Sequence, residues 1–215
     1  VGGRTWDDDR VVGRPRATGE SAGERDSRRD LLDAAAELFT ERGYTATSTR
    51  AVAERAGLRQ ASLYHYFGGK DDILAVLLEA TVLPSLHTAR SLLGEVAPKP
   101  AKLWALCRFD LELLCGGPYN LGALYLLPEV RAERFAGFHA ERDELKAAYR
   151  ALVDDDLAAD LVFGLVEGVI LTRRSKSIPD VEAYACVGAD AGVRIAVGAC
   201  DLAAVRAEGL RLLGR

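Results

Sequence analysis

The chain has 215 residues, 49% of them hydrophobic, which suffices for one large domain or two modest ones around a real core. A formal net charge of −4 excludes a protein that coats nucleic acid wholesale, while leaving room for a local basic face. No apolar run approaches the roughly 18 to 20 residues of a bilayer span, and the opening VGGRTWDDDR lacks the apolar stretch of an export signal, so a cytoplasmic protein is expected.

Cys107, Cys115, Cys186 and Cys200 show neither C-x-x-C spacing nor a histidine at ligand distance. They read as small buried hydrophobes, and neither a metal nor another cofactor is expected. Only five of the 28 basic residues are lysine, which together with abundant Ala, Gly and Val suggests a GC-rich bacterial genome.

Residues 1–26 are rich in Gly, Asp and Arg without hydrophobic periodicity and read as a flexible tail. Through residue 30, seven arginines are matched by seven acids, so the tail is no general electrostatic arm. Within it VGRPR, Val12–Arg16, resembles the Gly-Arg-Pro core of minor-groove arms, in which proline holds the backbone extended between two arginines. A solubilising tail is the competing reading.

The first helix is predicted from Ser27, where Asp30 three residues on makes a start like a capping box. Leu31, Leu32, Ala35, Leu38 and Phe39 then share one stripe, and Gly43 ends it. A second start lies at Thr47, with Ala51, Val52 and Ala56 as its apolar face and Gly57 as its stop. The third helix covers about Gln60 to Phe67, where Leu63 and Phe67 at i, i+4 can lock onto the first two. A longer helix follows from Lys70, with Asp71 and Asp72 complementing the positive end of its dipole and Pro84 expected to kink it. Beyond the breaker APKP, periodic apolar segments cover about 101–115, 127–152, 156–174, 180–197 and 200–213. No alternating apolar and polar run argues for a sheet. The fold class is all-α: tail 1–26, a three-helix domain 27–72, and a larger helical domain 73–215.

Three short helices with a polar, aromatic third match a helix-turn-helix, whose second component lies in the major groove. From Arg55 through Lys70 there is no acidic residue. Tyr64 and Tyr66 can set a ring against a thymine methyl or sugar while the hydroxyl donates to a phosphate, with His65 between them. Gln60 offers a donor and acceptor pair to adenine, Ser62 bonds either way, and Ala61 suits a thymine methyl. Arg50 can reach a guanine edge or a phosphate, Ser48 and Thr49 suit a phosphate, and Lys70 meets the DNA backbone. Residue by residue, the same aromatics equally fit an ordinary core.

The whole stretch YTATSTRAVAERAGLRQASLYHYFGGKDDIL, Tyr44 to Leu74, closely resembles the DNA-binding domain of the TetR family of bacterial transcriptional regulators, over roughly residues 28 to 75. The resemblance implies a recognition helix at about Gln60 to Phe67, with Tyr64, Tyr66, Arg50 and Lys70 at positions commonly used for DNA contact. Where the family often has a capping serine this chain has Arg59, which cannot accept from the helix N–H groups but can reach a phosphate.

The resemblance also implies a homodimer on a palindromic operator. Its interface is expected on the two late apolar helices, through Leu161, Gly164, Leu165, Gly168, Tyr184, Gly188, Ala189 and Gly192, since small residues allow close approach. The alternative is that Gly164 and Gly168 pack within the subunit. His87, Trp104, Arg108, Phe109, Tyr119, Tyr125, Phe138 and His139 combine aromatic walls with polar tips, which suits either a small-molecule pocket or a core with a polar rim. The expected function is a repressor released from DNA by a small-molecule effector. A constitutive DNA-binding protein is the runner-up. An enzyme is not expected, since G-x-S-x-G and H-E-x-x-H motifs are lacking.

Overall fold

The computed structural model describes residues 22–215, with side chains from Asp26 onward. Among the described residues all regular structure is helical. The α-helices are α1 (Ala22–Glu41), α2 (Thr49–Arg55), α3 (Gln60–Tyr66), α4 (Lys70–Gly94), α5 (Lys99–Cys115), α6 (Ala136–Leu152), α7 (Asp156–Ser175), α8 (Val181–Val197) and α9 (Leu202–Leu212).

The head is built as its sequence dictates. Leu31, Ala35, Leu38 and Phe39 of α1 are buried against Val52 and Ala53 of α2 and Leu63 and Phe67 of the α3 region. Two starts differ from expectation. α1 begins at Ala22, so Ser27 lies inside the helix instead of capping it. α2 is capped by Ser48, whose side chain accepts from Ala51 N–H. Thr47 is instead buried, its hydroxyl donating to the carbonyl of Gly43 at 2.8 Å. Gly43 and Gly57, which close α1 and α2, sit at φ of +88° and +71°, where any side chain is strained.

α5 is the axis of the body. Leu103, Trp104, Leu106, Cys107 and Leu111 are fully buried, and α5 packs on α8, α9, α4 and α7. α4 continues unbroken through Pro84, joining head to body. Contrary to the sequence expectation, α4 is long and apolar enough on length and composition to span a bilayer, with mean hydropathy 1.3 over its best window. Half of that window is buried in the fold, because Ile73, Leu74, Leu78, Val82 and Leu86 face α1, α5 and α6. Asp155, Asp180 and Asp201 cap α7, α8 and α9 by accepting from helix-start N–H groups.

Residues 127–135 do not extend α6 toward its N-terminus. They continue a series of short 3-10 turns covering Leu121–Leu126, Pro128–Arg131 and Glu133–Phe135. Pro128 holds Leu127 extended, at φ −69° and ψ 131°, and buried Val130 and Phe135 pin the segment to the body. Cys107 and Cys115 are buried as expected, whereas Cys186 is half-buried and Cys200 is exposed in the turn before α9.

Candidate nucleic-acid interface

α2 and α3 meet at a turn closed by Leu58 N–H donating to Ala53 O at 2.8 Å. Because Leu63 and Phe67 anchor α3 from beneath, the positions left outward are Arg59, Gln60, Ala61, Tyr64 and His65. Tyr64 is 52% exposed, while Tyr66 and Ser62 are half-buried, and Tyr66 packs against the core with its ring edge-on to His65. Gln60 and Tyr64 stand one turn apart and share a neighbour on α2. Thr49 Oγ1 accepts from Gln60 Nε2 at 3.1 Å and lies 3.2 Å from Tyr64 Oη. Arg59 occupies the cap position of α3 without a side-chain cap bond, so its guanidinium is left at the surface.

Two of the expected contacts are already engaged within the chain. The Lys70 ammonium donates to Tyr44 O at 2.8 Å and lies 4.1 Å from the centre of the Tyr44 ring, so one of its three N–H groups is spent within the head and two remain. Arg50 Nε donates to Glu54 at 2.7 Å, but both side chains are largely exposed, so solvent screens the pair and a phosphate can replace the carboxylate.

The head is tied to the body at two places that the sequence reading missed. Glu37 of α1 accepts from Arg55 Nε at 2.8 Å and from Tyr119 Oη at 2.8 Å. The Arg55 bonds, seconded by that of Tyr119, hold its carboxyl below the usual range. On the other side Asp71 receives Tyr44 Oη and Arg134, and Thr45 donates to Glu129 at 2.5 Å. Both ties end in the non-α segment 116–135. The sequence reading left 116–126 between periodic segments and gave 127–135 to a helix, so it offered no sign of either tie.

The body's aromatic and polar residues do not gather around an enclosed chamber. Trp104 is fully buried, its indole N–H donating to Asp190 at 2.9 Å, and a Cβ at Gly209 would collide with its ring. Arg108 is buried and spends its guanidinium on Glu112, Glu182 and Cys186. Tyr125 donates to Thr81 Oγ1 at 2.5 Å, Thr81 donating in turn to Leu78 O, and packs on Phe138, which in turn meets His139. His87 faces solvent on α4, and His139 Nε2 donates to Val130 O at 2.8 Å. Phe109 borders a 230 Å³ cleft with Leu92 and Leu212. Tyr119 borders a groove of about 570 Å³ between the end of α1 (Phe39, Gly43) and residues 118–127, with Arg173 and Arg174 at its edge.

Of the interface candidates, Gly188, Ala189 and Gly192 face inward: a Cβ on Gly188 would collide with Leu111, Ala189 is fully buried, and one on Gly192 would meet Cys107 Sγ at 3.2 Å. Small residues are needed there because α8 lies close on α5. Leu165 and Tyr184 are half-buried against the core. Leu161, 56% exposed, stands beside Gly164 and Gly168, which have open space where a Cβ would be. Leu157 and Leu171 extend that outward stripe along α7, and Val187 and Ile195 lie outward on α8. The VGRPR stretch lies outside the described residues.

The helix-turn-helix region matches the family model for bacterial regulatory proteins of the tetR family over residues 31–77. The crystal structure of AmtR from Mycobacterium smegmatis is 44% identical, covers 94% of this chain and 98% of its own, and superposes with a TM-score of 0.83. The chain belongs to the TetR family. The HTH-type transcriptional repressor KstR2 of Rhodococcus jostii is 32% identical over 100 residues, covering 46% of this chain and 49% of that protein, so the similarity spans about half the repressor's length. AibR, whose structure holds isovaleryl coenzyme A and operator DNA, shares the fold at 22% identity, with a TM-score of 0.62 over 81% of this chain and the whole of that one.

Proposed function

We propose that this chain is a homodimeric DNA-binding transcriptional regulator, acting in the cytoplasm as a repressor that a small-molecule effector releases from a palindromic operator. The observation that carries the reading is the α3 surface: a helix bolted down through Leu63 and Phe67, presenting Gln60, Ala61, Tyr64 and His65 outward beside Arg59, with no acid between Arg55 and Lys70. Gln60 and Ala61 supply groups for base edges. Tyr64, Tyr66, Arg59 and Arg50 supply donors for phosphates, which set the register. Ser48 and Thr49 adjoin them at the start of α2.

A palindrome is read by two such heads about one DNA turn, roughly 34 to 36 Å, apart. The outward stripe of Leu157, Leu161, Gly164, Gly168 and Leu171, with Val187 and Ile195 of α8, supplies a self-complementary apolar face for that pairing. The head of this reading runs to residue 72 and the body from 73 to 215, with α4 as the continuous connection.

The effector is assigned to the groove between α1 and residues 118–127. Its walls belong to head and body, and the Tyr119–Glu37–Arg55 bonds connect it directly to α2. A ligand there need only favour the DNA-free arrangement by about 1 to 3 kcal/mol to release the operator. AibR, seen with an acyl-coenzyme A and operator DNA, is a precedent within the fold. The runner-up, a regulator without small-molecule effector, draws on the filled core around Trp104 and Arg108.

DNA selected from a random pool by the purified chain, followed by band shifts of the selected sequence, tests the reading. A two-fold-symmetric site bound by a dimer is expected. Leu161→Asp should shift the protein to monomer in sedimentation and weaken that binding at least tenfold. Failure to select any sequence defeats the DNA-binding role, and a response to no lipophilic or anionic metabolite favours the runner-up.

A further inference from the structure

Thr49 was expected to touch a phosphate, yet its hydroxyl is occupied within the protein. It lies between Gln60 Nε2 at 3.1 Å and Tyr64 Oη at 3.2 Å, and no other hydrogen-bond partner of that hydroxyl is present among the described residues. Given the DNA-binding reading above, we propose that Thr49 is a positioning residue that presets both Gln60 for base reading and Tyr64 for phosphate contact. An amide nitrogen cannot accept, so Gln60 donates to Thr49. Between Thr49 and Tyr64 either hydroxyl can be the donor. When Thr49 donates, the phenol's hydrogen is left on an exposed ring, where a phosphate oxygen can accept it.

The platform beneath is stiff. Thr49 is β-branched and opens α2, which Ser48 caps through Ala51 N–H and which fully buried Val52 and Ala53 fix to the core. Gln60 and Tyr64 come from a different helix, so their link to Thr49 also holds the α2–α3 angle at the reading surface. With one N–H on Thr49, Gln60 retains Oε1 and its second amide hydrogen for a base edge. A long flexible side chain ordered before DNA arrives loses less freedom on binding, which favours affinity and discrimination alike.

The test uses the full chain, its selected DNA site, and variants of that site with each base pair exchanged. Thr49→Val keeps shape and removes the hydroxyl, and Thr49→Ser restores it. Thr49→Val should lose discrimination at the same base pair as Gln60→Ala, by roughly 5- to 150-fold, the scale of a single bidentate base contact. Added to Gln60→Ala it should cost markedly less than it does alone, and Thr49→Ser should behave like the unmodified chain. Should Thr49→Val fold poorly, Thr49→Ala takes its place in the same cycle. A loss spread evenly over all sequences, with a salt dependence lowered by about one phosphate, would make Thr49 a direct DNA contact and overturn the proposal. So would unchanged discrimination. If the unmodified chain selects no DNA, the DNA-binding reading itself fails, an outcome distinct from either.

Discussion

The α3 surface and the α5 core hold the same kinds of residue, aromatic rings with polar neighbours, and use them in opposite ways. Around α3 the anchors are short-range, Leu63 and Phe67, so Gln60 and Tyr64 are pushed outward with hydrogen-bonding capacity to spare. Around α5, Trp104, Arg108 and Tyr149 are buried and the polar tip of each of the three is answered by another element: Asp190 from α8, Glu182 from α8, and Asp110 from α5 itself. A ring beside a polar atom is therefore no evidence of a ligand site until the partner of that atom is known. Unspent donors mark the head as the interacting region, and satisfied ones mark the α5 core as structural.

Five substitutions press on that contrast, in descending size. Trp104→Ala should remove about 3 to 5 kcal/mol of unfolding free energy in urea titrations, through the cavity left beside Gly209 and Ala101, while base discrimination by whatever remains folded is unchanged. If it altered specificity instead, the core would not be purely structural.

Asp110 comes next. Burial pushes its carboxyl up to about 6, against the bond from Tyr149 at 2.7 Å, from an ordinary 3.8. Between those two values the folded state holds the proton that the unfolded state has released, so this residue's share of stability is complete below pH 3.8 and is lost as pH rises through 6. The loss amounts to about 3 kcal/mol. Acids held low by partners, such as Glu37 and Asp190, act in the opposite sense at lower pH. The measurement is therefore the difference between the unmodified chain and Asp110→Asn across pH 4 to 7. A flat difference would show that Asp110 ionises in the folded state at its ordinary value, and one that keeps growing to pH 7 would show that it stays protonated there.

On the head, Gln60→Ala should cost about 1 to 3 kcal/mol at one base pair and leave the urea midpoint in place. Tyr64→Phe should weaken binding to every sequence nearly equally, by the smaller amount expected of one phosphate bond, about 0.5 to 1.5 kcal/mol. Equal, sequence-independent losses for both would remove the division between base reading and register. Glu37→Gln offers a finer probe of the link between regions: operator affinity should change little, while any effector response is blunted because Tyr119 and Arg55 lose their shared carboxylate.

How much was legible from the chain differs between the regions for the same reason. The head's helices are set by contacts between residues close in sequence: glycine stops at Gly43 and Gly57, a hydroxyl cap one residue from where it was expected, and i, i+4 anchors. Asp190 did carry a faint signal as an acid set in the small apolar run VGADAGV, whereas Asp110 in CRFDLELLC has Glu112 beside it. Their partners Arg206 and Trp104, or Tyr149, lie tens of residues away, and no spacing rule reaches them. The same holds for Gly188 and Gly192, where smallness alone did not say whether α5 or a second copy lies opposite.

By itself the sequence determined an all-α chain with a helix-turn-helix near its start and the polar, aromatic surface of α3, because capping, glycine stops and helical period act over one or two turns. Only the tertiary structure decided that Lys70 donates to Tyr44 O, that Trp104 and Arg108 are sealed in the core, and that Glu37 and Asp71 tie the head to residues 116–135. Those outcomes depend on which helices meet, and on which distant partner satisfies each buried polar atom, and packing settles both at once.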